Sequence, residues 1–471
     1  MRRFRRTTLL TVGCLAVLVG IGLAKRVSFE PAFWLALFIP SLLVLKKKSW
    51  AALLIVIMLG LSLGLWRGDG FSQKLDQIKA LNGQQVTVQA TASSDAIYST
   101  ASQLEFTVKD VRLAPDGQPL AGSFKISGFG EPMVYRGDRI QISGKLYPMR
   151  GANQARIAYA QLETIGADSS WMNSFTRNFK AGMYTALPEP SASFGLGILI
   201  GQRNSLPSEL TNQLIMVGLV HIVAVSGYNL TIIIRAVSRL KLGSKFQRLA
   251  ASLLLIAGFL LMTGFSASIV RASLVAVLGL WAWFYGRSFK PVLLIALAAA
   301  ITGLANPFYV WGDLGWYLSF LAFFGVLVIA PLVAQRFKRR PKNLTMVVIE
   351  TLSAEVMTLP LIMMSFGQLS LVGLVANALV VPLIPFAMLL AAVAATAGMW
   401  LTPIVGWLAW PANLLLTYIL DIAQLLASVP GIFLHRSIST PTMLYFYALV
   451  LLLTAAAYRQ HNHPKIDTIQ R

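Results

Sequence analysis

The chain has one cysteine, four histidines, and charged side chains at only 12% of its 471 positions. Each shortage excludes something. A lone thiol, Cys14, cannot close an intrachain disulfide, so any exported domain has to fold on its core alone. The histidines (221, 435, 461 and 463) contain no His-x-His-x-Asp-His run, so a binuclear zinc hydrolase centre cannot be built from them. No Gly-rich loop precedes a Lys-Ser/Thr pair, so no ATP motor of the Walker type is expected. No catalytic residue, metal or cofactor is expected, and the chain does not read as an enzyme. Soluble domains carry about a quarter charged residues. At 56% hydrophobic, this one belongs to the membrane class.

Forty Lys+Arg against eighteen Asp+Glu give a net charge of +22, unevenly spread. Residues 1–69 carry ten basic and two acidic side chains, 70–166 ten and eight, and 167–471 twenty and eight. The middle segment is nearly neutral, and the excess follows the membrane parts, as cytoplasmic loops require. Met1–Arg6 reads MRRFRR and precedes an apolar run that ends at Lys25-Arg26 without a cleavage pattern, so a retained helix is expected. Apolar stretches near 7–24, 31–45 and 49–66 form an N-terminal membrane domain over 1–69. With the basic N-terminus and Lys46–Lys48 in the cytoplasm, residues 70–166 fall outside it.

Those residues change character. Five strand-like runs (84–91, 103–113, 120–129, 137–148 and 155–165) are punctuated by Gly/Pro/Asp turns. Five short strands fit an OB-like barrel, with a sandwich as the alternative. Its aromatics (Tyr98, Phe106, Phe124, Phe129, Tyr135, Tyr147 and Tyr159) are few, so a docking role competes with single-strand binding. Residues 167–190 read as an interfacial amphipathic helix, or a connector, with Trp171, Phe175, Phe179 and Tyr184 at helical spacing. The membrane domain then runs over 191–458, with 188–202 as a short dipping segment, and 459–471 form a polar cytoplasmic tail. Candidate spans lie near 212–234, 249–264, 268–286, 291–305, 313–334, 344–365, 370–400, 403–428 and 441–457. The expected fold is thus a polytopic α-helical membrane protein of about 10–12 transmembrane helices with an inserted small all-β domain.

Polar groups within such spans usually face a bundle interior or a wet cavity. The densest cluster is Gly218-Leu-Val-His221-Ile-Val-Ala-Val-Ser226-Gly227-Tyr228-Asn229. His221, Ser226, Gly227 and Asn229 together read as a broken helix lining a conduit, or else as a helix interface packed on glycine. Arg271 starts a span. Its fork suits a phosphate, an outer headgroup or an acid such as Asp313. Glu355 precedes Pro360, where a kink is expected, and Asn377 precedes Val381-Pro-Leu-Ile-Pro385, a second broken stretch. Asp421 reads as a single buried contact.

The run from Gly201 through Gly218-Leu-Val-His221 to Ser226-Gly227 resembles the signature of the ComEC competence family of bacterial DNA-uptake channels. Further matches are Ser266–Ala272, Gly315-Trp-Tyr-Leu-Ser319-Phe320, Ala354-Glu355…Thr358-Leu-Pro360, and Phe366-Gly-Gln368 through Ala376-Asn377 to Val381-Pro382. They fall in the family's order, and the five-strand segment looks like the family's extracytoplasmic OB domain. The resemblance implies import of single-stranded DNA through the bacterial inner membrane during natural transformation. A separate pilus and receptor system would deliver the strand, and separate cytoplasmic motor or DNA-processing proteins would draw on it. The family's residues carry over at His221, Ser226 and Gly227. The family pattern continues with Leu-His where this chain has Tyr228-Asn229, so no second histidine is carried over. Many relatives end in a metallo-β-lactamase-like domain; this chain stops before one, so a nuclease is expected on another polypeptide. A secondary transporter of a small anionic solute and a non-transporting assembly scaffold are the competing readings.

Overall fold

The computed structural model describes residues 4–27, 50–98, 103–149, 153–167, 170–202, 206–223, 230, 244–287, 290–337, 341 and 343–462. Among them, nine helical stretches are long and apolar enough to cross a bilayer. The expected span at 31–45 lies outside the described residues.

Helices α1 (Arg6–Leu23) and α2 (Trp50–Ala80) pack through glycine. A Cβ on Gly64 would collide with Val17 O, and one on Gly20 would lie 3.0 Å from Gly64 Cα. In a lipid setting such small-residue contacts let backbones approach and gain dispersion energy. α2 continues past the expected end at 66. Phe71, Leu75 and Ile78 extend its apolar stripe at helical spacing, and Ile78 is 1% exposed within the core of the β domain. One rod thus runs from the membrane segment into the barrel.

The five expected strands are β1 (Gln85–Ala92), β3 (Gln103–Leu113), β5 (Phe124–Phe129), β6 (Arg139–Pro148) and β7 (Ala155–Gly166), with the short β2 (Ile97–Tyr98) and β4 (Gln118–Pro119) at the margin. β1 pairs with both β3 and β6, β3 with β5, and β6 with β7; β5 lies parallel to β7. The ring β1-β3-β5-β7-β6 closes on itself, a five-stranded barrel of OB type rather than a sandwich. Alternation places Val88, Val108, Ile126, Ile142 and Ile157 inside, each fully buried. Phe106 and Phe124 belong to this core and cannot stack a base, whereas Tyr98, Phe129, Tyr135, Tyr147 and Tyr159 are exposed.

The chain leaves the barrel through α3 (Trp171–Ala186), turns at 187–190, and continues as α4 (Ser191–Ile200), in which every residue is buried. Glu189 caps α4, its carboxylate accepting from Ser193 N at 3.1 Å and from the Ser193 hydroxyl. α5 (Ser208–Met216) and the one-turn α6 (Val220–Val223) follow. Next come α7 (Lys245–Thr263), α8 (Ala267–Phe284), α9 (Pro291–Ala305), the short α10 (Phe308–Gly312) and α11 (Leu314–Ala334). The last group is α12 (Asn343–Phe366), α13 (Gly373–Val380), α14 (Ile384–Trp400), α15 (Val405–Ala427) and α16 (Thr440–Asn462).

Several expectations change here. α3 does not simply lie at an interface: Phe179 and Met183 are buried against α14, where Gly182 meets Gly398 backbone to backbone. The stretch around Val381–Leu383 is one 3-10 turn joining α13 to α14, not a rupture. α12 runs on through Pro360. Asp421 is exposed, because the buried stripe of α15 (Ala409, Ala412, Leu416, Ile419 and Ala423) faces elsewhere. A two-stranded ribbon, β8 (Gln368–Ser370) with β9 (Phe433–His435), was not expected; three-residue strands leave no periodicity to read.

The barrel is latched to the helices at Asp95. Its Oδ1 accepts from Arg136 N at 2.9 Å, and its Oδ2 pairs with Lys180 of α3. The Arg136 guanidinium in turn donates to Leu261 O and Met262 O, carbonyls in the last turn of α7. Burial alone pushes the Asp95 carboxyl up, but the Lys180 charge and hydrogen bond and the Arg136 N–H override it and hold it below the usual range. A carboxyl lowered on folding contributes stability above its unfolded pKa and loses it as pH falls through the depressed value. The latch should therefore persist at pH 7 and through the ordinary aspartate range near ~4, releasing only below it. Asp95→Asn should cost about 1–3 kcal/mol and speed proteolysis between the barrel and α3 at neutral pH. Unchanged proteolysis would show that the latch does not hold the barrel.

Candidate functional site

The expected 212–234 span breaks, and the break is at Gly218. Gly218 adopts φ +74 and ends α5 in a Schellman motif, with Leu219 N donating to Leu214 O at 2.8 Å and Gly218 N to Ile215 O at 3.0 Å. Only glycine takes that conformation without strain. His221, one turn on, turns Nδ1 back to Gly218 O at 3.0 Å, and its ring is exposed. Ser226, Gly227 and Asn229 lie outside the described residues.

This corner meets the turn that opens α13. A Cβ placed on Gly218 would lie 3.4 Å from Gly373 Cα and 3.8 Å from Ser370 Oγ. A Cβ on Gly373 would lie 3.1 Å from Glu355 Oε1. Asn377 Nδ2 donates to Glu355 Oε2 at 3.1 Å, with Asn377 only 2% exposed. Segments near 218, 355 and 370–377 thus converge on one polar junction. Asn377 Oδ1 and Ser370 Oγ are buried there without a protein partner among the described residues. The α11 backbone presses in one turn away: Gly325 opens a π turn over Gly325–Ile329 where a Cβ would lie 2.9 Å from Ala354 Cα. Ser370 and Gly373 are not among the expected site residues, and Gly218 enters only as the start of the expected cluster; the two glycines carry a signal in the sequence as isolated glycines inside apolar runs, and Ser370 carries none.

Arg271 and Asp313 form a second group. Arg271 is 3% exposed and donates Nη2 to Gly315 O at 2.9 Å, so it points inward rather than to headgroups. Its Nε and Nη1 have no partner among the described residues. Asp313, also buried, accepts from Trp316 N at 3.2 Å as the N-cap of α11 and adds its charge to the surroundings of Arg271. Ser319 is half-buried on α11.

Among the described residues, nine apolar stretches long enough to cross a bilayer and an inserted barrel define a polytopic helical membrane protein with a β domain. Residues 198–461 match the Competence protein family, and the chain belongs to that family. It is 25% identical over 281 residues to ComE operon protein 3 of Bacillus subtilis (strain 168), covering 59% of this chain and 35% of that protein. It is 24% identical over 367 residues to Competence protein ComA of Neisseria gonorrhoeae, covering 70% of this chain and 50% of that one. The chain therefore spans about a third to a half of the length of these curated relatives. No solved structure matches it.

Proposed function

We propose that the chain forms a path for single-stranded DNA across the bacterial inner membrane during natural transformation. The observation that carries this reading is the junction of Gly218, Ser370, Gly373, Glu355 and Asn377, inside the stretch that matches the competence family. A strand of any sequence needs a wet path with weak, replaceable contacts. Orphaned amide and hydroxyl oxygens beside a glycine corner offer that, and buried Arg271 offers a phosphate-matched fork. His221, Ser226, Gly227, Asn229, Arg271, Asp313, Ser319, Glu355 and Asn377 are the residues assigned to the path.

The barrel and residues 70–166 are assigned to the outer side. In the sequence the basic cluster Lys46–Lys48 precedes α2 and the cluster Arg235–Arg248 runs into the first turn of α7, and the barrel meets the opposite, C-terminal end of both helices. Both termini then lie in the cytoplasm. The receptor and pilus, the motor or DNA-processing proteins, and any nuclease act as separate partners. His221→Ala or Arg271→Ala should block passage of labelled DNA into the cytoplasm while surface-bound DNA stays at its normal level. Normal import in both variants would remove these residues from the path.

A further inference from the structure

A cavity of about 520 Å³ lies where the apolar span α7 ends at Met262 and Thr263, beside the end of α4 and one face of α3. The end of a span marks the level of a bilayer surface, so this cavity sits at the depth of lipid headgroups. Two observations there point to a ligand. The first is charge: three cations, Arg136, Arg177 and Lys180, face one carboxylate, Asp95. Arg136 and Lys180 are committed to the latch. Arg177 is not: it donates Nη2 to Ser174 Oγ at 3.1 Å and stands 5.9 Å over the Tyr135 ring. Among the described residues no carboxylate pairs with it. The second is an apolar track that leads to the cavity. Leu254, Leu261 and Phe265 are exposed at helical spacing along one face of α7 and just past its end. Trp171, exposed at the start of α3, adds an aromatic of the kind enriched at membrane interfaces.

We infer that this cavity holds the headgroup of an anionic phospholipid of the phosphatidylglycerol kind, its phosphate on Arg177 and its acyl chains along Leu254, Leu261 and Phe265. A guanidinium matches a phosphate with two parallel N–H donors, and the partial burial of Arg177 limits screening by salt. The hydroxyls in the wall suit glycerol. Thr176 donates to Met172 O at 2.9 Å and Thr263 to Phe259 O at 2.8 Å, so both keep lone pairs for an incoming O–H. A choline or ethanolamine headgroup would bring its own cation toward three others, and Arg177 covers the Tyr135 face that could take a choline. The volume falls within the range of about 300–1,000 Å³ typical of ligand sites. A lipid held there would touch the barrel, α3 and α7 together, the same three elements that the Asp95 latch joins. The site stands apart from the DNA path: none of the residues assigned to that path lines it.

The test is photolabelling of the full-length protein in phosphatidylcholine nanodiscs by trace phosphatidylglycerol carrying a diazirine near the glycerol end of one acyl chain. Labelled peptides are mapped by mass spectrometry. Residues 261–265 should be labelled about tenfold more than by a phosphatidylcholine probe with the same chain. Arg177→Gln should remove that preference at 261–265 and leave labelling of other helices unchanged, which shows that the variant is folded. Arg112→Gln, an exposed cation elsewhere on the barrel, should label as the wild type does. Equal labelling of 261–265 by the two probes means ordinary surrounding lipid and overturns the site, as does a preference that survives Arg177→Gln. Suppression of the labelling by excess glycerol 3-phosphate or by a short oligonucleotide assigns the cation to a soluble phosphate and overturns it too. Import of labelled DNA in the His221 variant judges the conduit reading separately.

Discussion

Gly398→Ala should destabilise the protein by about 3 kcal/mol, at the upper end for overpacking, a roughly hundredfold loss in the folded ratio. An alanine in a helix normally gains about 1 kcal/mol over glycine, so a loss of this size reverses the ordinary sign. The cause is geometric. A Cβ on Gly398 would overlap Gly182 O and lie 2.7 Å from Gly182 C and 3.0 Å from Gly182 Cα. Both partners are backbone, so no rotamer relieves the clash, and α3 has to move away from α14. α3 carries Lys180, which holds Asp95 and the barrel, so the barrel should loosen with it. Melting in detergent should fall for Gly398→Ala and not for Gly279→Ala, whose Cβ would meet nothing within 4 Å. Equal melting temperatures would mean that the two helices separate at little cost.

The spans and barrel strands were legible because each repeats a period along its length: 3.6 within a bilayer-length run, or 2 along strands such as Gln103–Leu113. A barrel was the expectation from five short strands, but which strands close it was not legible, since closure depends on β1 pairing two partners at once. α2 outruns the expected 49–66 because the continuous apolar run ends there, while Phe71, Leu75 and Ile78 keep an apolar stripe at helical spacing. At the candidate site, the sequence identified chemistry but not adjacency. Glu355 and Asn377 were both flagged as polar groups in apolar runs, yet 22 residues separate them and only the fold makes them hydrogen-bonded partners. The glycines that admit the contact drew less notice, because a glycine's role depends on what its missing side chain lets approach. Of the three partners open to Arg271 in the sequence, a phosphate, a headgroup or an acid such as Asp313, the structure shows a backbone carbonyl, Gly315 O, beside an Asp313 that accepts from Trp316 N.

Asn377→Ala should lower transformation by at least tenfold and leave the folded protein in the membrane. The amide of Asn377 gives Glu355 Oε2 a hydrogen bond at 3.1 Å and thereby ties α13 to α12 beside Gly218. Losing it leaves a half-buried carboxylate short of a donor, a cost of about 1–3 kcal/mol. Asn377→Asp should be worse, since a second carboxylate would face the first and both would repel a phosphate strand. Glu355→Gln keeps an acceptor oxygen for the same amide and should retain most of the import. That contrast separates positioning from charge: if the negative charge itself were needed, Glu355→Gln would fail as Glu355→Ala does. Because the two side chains act through one bond, Glu355→Ala with Asn377→Ala should be no worse than the weaker single variant. Additive losses in that cycle would show that each residue meets the strand on its own, and normal import in Asn377→Ala would remove the junction from the path.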